Sequence, residues 1–87
     1  MNWQGLERHR IELKRPLLLV RGSRGILACG YLNVEAFDRT GEAAAIVTGV
    51  NDFEDMLGAK ITAVSRAAAA AGVSPGMTGR EALDRFR

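Results

Sequence analysis

"LLLVRGSRGILACGYLNV", residues Leu17–Val34, decides how this chain folds. A continuous apolar run, Leu17 to Val20, leads into "RGSRG" (Arg21–Gly25), whose glycines and serine suit a tight reversal. Ile26 to Val34 then reads as the returning strand of a β-hairpin, with Gly30 a candidate for a bulge or a close backbone approach. Upstream, "RIELK" (Arg10–Lys14) alternates, placing Ile11 and Leu13 on one face of a half-buried strand. Pro16 breaks that phase and cannot donate to a sheet ladder. The sequence therefore predicts an edge strand, or a strand that bends at Pro16. Residues 1–9 carry no clear period and read as a loosely ordered lead-in to the domain proper, residues 10–87.

Downstream the pattern switches back and forth between helix and strand. "VEAFDRTG" makes a short helix stopped by Gly41, and "AAAIVTGV" (Ala43–Val50) a buried strand. Asn51 or Asp52 caps a helix that buries Phe53, Met56 and Leu57 before Gly58. "AKITAVS" (Ala59–Ser65) is strand-like, and Ser65 caps the alanine run Ala67–Ala71. Thr78-Gly-Arg-Glu81 opens a last helix with Ala82, Leu83 and Phe86 on one side. The order ββαβαβαα predicts a single small α+β domain: an N-terminal β-hairpin in a mixed sheet of about four strands, with short helices packed on one face. A small α/β unit with a mostly parallel sheet beyond the hairpin is the alternative.

The 87 residues suffice for one domain. A chain of that size buries only roughly 60–65% of its unfolded surface, so its stability margin is thin. Small domains compensate with staples or with self-association. One cysteine, Cys29, and one histidine, His9, allow neither a disulfide within the chain nor a structural zinc site, which points to a homo-oligomer. No apolar run reaches the ~20 residues of a membrane span. The N-terminus lacks the apolar block of a secretory signal, and with the lone thiol this suggests a cytoplasmic setting. Net charge is +2, and residues 1–24 hold six Lys/Arg against Glu7 and Glu12.

Three segments carry a family likeness. "GILACGYLNVEAF" (Gly25–Phe37), "GEAAAIVTGVNDFEDMLGAKI" (Gly41–Ile61) and "VSRAAAAAGVSPGMTGREAL" (Val64–Leu83) resemble the YunC-like family, small prokaryotic proteins with a domain of unknown function. The tail from Gly76 to Leu83 and the Cys29-Gly30 pair are its markers, and the likeness covers about residues 22–84. The resemblance implies no activity, and residues 1–10 carry none of its motif.

The residues themselves nominate two places. Thr78, Gly79 and Arg80 begin a helix behind a glycine-rich loop, where bare N–H groups and an arginine suit an anion. Thr78 and Glu81 also fit a reciprocal capping box, which would use those donors up. Arg80 with Asp84, and Glu81 with Arg85, are spaced for surface ion pairs. Cys29 is the second place. Small neighbours leave either a packed thiol or a hollow in the sheet, and a reactive thiol would need a nearby cation. One pocket holding Cys29, Thr78 and Arg80 would unite the two.

Other features are weaker. Asp52, Glu54 and Asp55 read as a cap and a solvated face rather than a metal site. "GSRG" lacks the lysine of a phosphate-binding loop. The basic N-terminal third has only Trp3 for stacking, which disfavours nucleic acid as a partner. The function expected is thus a small cytoplasmic homo-oligomer that binds an anionic small molecule near the last helix N-terminus, without metal or cofactor. A thiol-dependent enzyme using Cys29 is the alternative, and nucleic-acid binding a third.

Overall fold

The computed structural model describes all of Met1–Arg87. The central hairpin forms as the sequence predicts. Strands β2 (Leu17–Arg21) and β3 (Ile26–Ala28) pair antiparallel with Val20 opposite Leu27, and Gly22 N–H donates to the Gly25 carbonyl at 2.9 Å. The turn is also packed: a Cβ on Gly25 would overlap the Phe86 ring. Strand β3 is shorter than expected. Cys29 N–H still reaches the Leu18 carbonyl at 3.1 Å, but Leu32 N–H then bonds back to the Cys29 carbonyl and closes a turn. The Gly30 and Asn33 backbones favour a turn and a helix cap over ladder pairing, so there is no bulge at Gly30.

The N-terminal third differs from the sequence expectation. Instead of one strand running through Pro16 there are two, with β1 (Glu7–Ile11) at the sheet edge and antiparallel to β2, Glu7 opposite Arg21 and Ile11 opposite Leu17. The chain reverses between Ile11 and Leu17. Pro16 lies in that reversal, where its missing N–H costs no ladder bond. The lead-in expected over residues 1–9 is corrected by the same observation: Glu7, Arg8 and His9 belong to β1, while Trp3 and Leu6 pack against the core. Arg8 stacks on Trp3 at 4.7 Å, and Trp3 meets Phe53 edge-on at 6.1 Å.

The sheet therefore has five strands, in the order β1-β2-β3-β4-β5. Strand β4 (Ala44–Ile46) lies parallel to β3, and β5 (Ala63–Val64) antiparallel to β4. Parallel neighbours need a crossover, which α1 (Val34–Thr40) supplies. Asn33 accepts the Ala36 N–H at α1's start, and Gly41 ends it at φ +79°, a left-handed conformation that glycine adopts without steric cost. Helix α2 (Phe53–Gly58) is capped by Asp52, and α3 (Arg66–Ala70) by Ser65. Ser65 is fully buried and fully used: its hydroxyl accepts from Ala44 N–H and Ala68 N–H and donates to the Glu42 carbonyl.

Alternation assigns the sheet faces. Leu18, Val20, Leu27, Cys29, Ala45 and Val47 share one, and they form the main core with Met56, Leu57, Ala68, Ala82, Leu83 and Phe86. The helical layer on that face is built by α2, α3 and α4 (Gly79–Phe86). Helix α1 packs on β4 and contributes no residue to that cluster. The molecule is a single small α+β domain.

Candidate functional site

The start of α4 is a complete cap. Glu81 N–H donates to the Thr78 hydroxyl oxygen at 3.2 Å, and Thr78 N–H donates to the Glu81 carboxylate at 3.1 Å. Gly79 N–H bonds the Ala59 carbonyl, and Ala82 N–H the Thr78 carbonyl. These bonds hold the Glu81 carboxyl below its usual range, chiefly through the Thr78 N–H and then through its hydroxyl. Of the first four N–H groups of the helix, only that of Arg80 has no partner within the chain. Gly79 has a packing reason to be glycine. A Cβ there would overlap the Met56 carbonyl oxygen, so its bareness lets α4 approach α2. The Arg80 side chain is exposed and unpaired, and neither spaced ion pair forms; Asp84 instead faces Arg87 at 3.5 Å.

Cys29 lies elsewhere, at 3% exposure, among the residues that line an open cleft of about 260 Å³. The cleft sits just beyond the carboxyl ends of the parallel strands β3 and β4. Gly30 and Tyr31 enter it from one strand, Thr48, Gly49 and Val50 from the other, and Arg15 and Pro16 close it from the β1–β2 reversal. In open sheets with parallel strands, ligands bind at that end, where consecutive loops diverge. Thr78, Gly79 and Arg80 line neither this cleft nor the larger one near the "RGSRG" turn, so the two nominated places are not brought into one of these clefts.

Charge and hydrogen bonding set the β3–β4 cleft apart. Arg15 is its only charged lining residue, and it makes no ion pair. The N–H groups of Gly30, Tyr31, Thr48, Gly49 and Val50 make no hydrogen bond within the chain, and the Tyr31 and Thr48 hydroxyls make none either. The Cys29 sulfur is engaged in the sheet, accepting the Leu18 N–H at 3.3 Å. No carboxylate or imidazole lines this cleft to take a proton from the thiol.

The remaining charged residues have local duties. His9 lies on β1 with Nε2 3.3 Å from Glu7. Arg10 pairs with Glu12 and donates to the Asn51 carbonyl, and Arg21 pairs with Glu7 at 2.7 Å. With Arg8 on Trp3, half of the basic N-terminal third is engaged internally. Asp52 and Asp55 cap the start of α2, accepting from Asp55 N–H and Asn51 N–H. No group of three or more His, Cys, Asp or Glu side chains is placed to hold a metal ion. The larger cleft, about 600 Å³, mixes Arg21 and Arg24 with Glu7 and Glu42. No helix is long and apolar enough to cross a membrane.

Sequence reading nominated Cys29-Gly30 but missed Arg15, Tyr31 and Thr48-Gly49. The one available signal was local: "CGY" and "TGV" each place a glycine just past an apolar strand run. Arg15 gave none, because its approach depends on the β1–β2 reversal.

Fold and cleft together define a small α+β domain with an open recess at the carboxyl ends of a parallel strand pair. The chain belongs to the family described as "Domain of unknown function (DUF1805)", whose match spans residues 28–86. The YunC-like resemblance of the motif segments is consistent with that membership. A solved relative extends the likeness to the N-terminal strands: the crystal structure of a protein of unknown function, TA1206, from Thermoplasma acidophilum. It is 32% identical, with a TM-score of 0.82 over 100% of both chains. No curated protein matches the chain.

Proposed function

We propose that this protein is a non-catalytic, cytoplasmic homo-oligomer that binds a small anionic molecule, and that the binding seat is the β3–β4 cleft. One observation carries the reading: the cleft has an unpaired arginine, no carboxylate, and a set of polar hydrogens with no partner in the chain. Gly30, Tyr31, Thr48 and Gly49 are exposed, so water serves most of these donors in the free protein. An anion can replace that water at several of them at once through charge-assisted hydrogen bonds. The volume of about 260 Å³ lies just below the range of drug-sized pockets, which fits a small metabolite. At the start of α4, only Arg80 still has an N–H and a side chain to offer.

The test is thermal unfolding in the presence of inorganic phosphate. A ligand bound only by the folded state raises Tm by mass action. Phosphate is expected to raise the Tm of the wild type and, at the same concentration, to raise that of Arg15→Ala clearly less. Equal rises in both would remove Arg15 and the cleft from the reading. Self-association is supported by the small chain and by Ile11, Leu13 and Tyr31, which are 55%, 48% and 48% exposed. A stable monomer in light scattering at micromolar concentration would contradict it.

The thiol-enzyme alternative keeps one supporting observation, the presence of Cys29 in the cleft lining. Native Cys29 is expected to react with iodoacetamide more slowly than free cysteine, because it is buried and its sulfur accepts the Leu18 N–H. Faster reaction at neutral pH would restore the enzyme reading.

A further inference from the structure

We infer that the ligand is recognised through one compact oxoanion group, a carboxylate or a phosphate, gripped by the backbone amides of the two turns that follow β3 and β4. The inference rests on the cleft being the binding seat and adds which atoms read the ligand. Turns that present successive N–H groups to a concavity form anion sites without any charged side chain. Both turns that line the cleft carry such N–H groups without partners in the chain: Gly30 and Tyr31 from one side, Thr48, Gly49 and Val50 from the other.

Two glycines keep the approach open. Gly49 has φ +72°, a conformation other residues adopt only with strain. A Cβ on Gly30 would sit 3.2 Å from the Thr48 methyl carbon, pressing one turn against the other. The Tyr31 and Thr48 hydroxyls have no partner in the chain and add neutral donors. Arg15 contributes the single full charge from the β1–β2 reversal. A phosphate or carboxylate needs donors from several directions, and this cleft offers them with no carboxylate in its lining. The larger cleft fails on that count, since Glu7 and Glu42 line it.

The experiment follows backbone amides and the Arg15 side chain by two-dimensional nitrogen–proton NMR, titrating the full chain with inorganic phosphate and, separately, with acetate. Saturable shifts are expected at Gly30, Tyr31, Thr48 and Gly49, with the Arg80 amide still. Saturation by both anions assigns the shared oxoanion geometry, and saturation by phosphate alone assigns a phosphate group. In Gly30→Ala, whose backbone needs no special φ, the N–H remains but the added methyl crowds Thr48 and shifts one turn against the other. Affinity should therefore fall roughly tenfold, as when one hydrogen bond to a charged group is misplaced.

Saturable shifts at the Arg15 Nε with stationary amides would overturn the amide grip while leaving the cleft as the seat. Shifts centred on Gly79 and Arg80 would overturn both. Linear, unsaturating shifts spread over all exposed basic residues would also overturn both, as ionic screening only.

Discussion

The start of α4 and the mouth of the β3–β4 cleft look alike as sequence, since each offers glycines, a threonine and an arginine at the end of an element. In the folded chain they are opposites. At α4 the Thr78 hydroxyl, the Glu81 carboxylate and the Ala59 carbonyl have taken the donors. At the cleft, five N–H groups and two hydroxyls are unspent. Residue type therefore does not tell the two places apart, and donor accounting separates them. A satisfied helix cap stabilises the fold; an unsatisfied turn is available to a ligand.

The largest test of this contrast strikes the cap side. In Gly79→Ala the new methyl group meets the Met56 carbonyl oxygen, and α4 must move off α2. Destabilisation of about 3 kcal/mol or more is expected from denaturant midpoints, since overpacking against backbone cannot relax cheaply. Unchanged stability would mean that α4 does not pack as described. Next comes Arg15→Ala, expected to lower phosphate affinity roughly tenfold in calorimetry, with denaturation of the ligand-free protein little changed. Thr78→Ala should do the reverse. It should cost about 1 kcal/mol of stability, as loss of an N-cap does, and leave phosphate affinity unaltered.

A pH dependence follows from the same cap. Because the folded state lowers the Glu81 pKa, the resulting stability is present above the ordinary carboxylate range and is lost as pH falls through the lowered value. Glu7 acts in the same direction through its bonds to Arg21 and His9, so the wild type should weaken in acid for both reasons. In Glu81→Gln the acid-side fall in the urea midpoint should become shallower, with the Glu7 part remaining. An unchanged profile would remove Glu81 from the account.

The sequence disclosed these regions unequally, for physical reasons. Caps are local: Asn33, Asp52, Ser65 and the Thr78–Glu81 box sit within three residues of the N–H groups they bond, so spacing alone reveals them. The β2–β3 hairpin and the Gly41 stop are equally local. The separate β1 strand was harder to see, because its five residues are all exposed and carry no apolar alternation from Glu7 to Arg10. Its place is set by pairing with β2 and by Trp3 and Leu6 packing behind it. The cleft was the least legible. It joins three loops separated by up to 35 positions, from Arg15 to Val50, and what distinguishes it is hydrogen bonds that are not made. Periodicity carries no trace of an unused donor.

The most direct test of the central claim is a calorimetric titration of inorganic phosphate into Arg15→Ala and Arg80→Ala, side by side with the wild type. If the cleft is the seat, Arg80→Ala binds as the wild type does and Arg15→Ala binds roughly tenfold more weakly. The contrary result, full affinity in Arg15→Ala with loss in Arg80→Ala, would return the site to the start of the last helix.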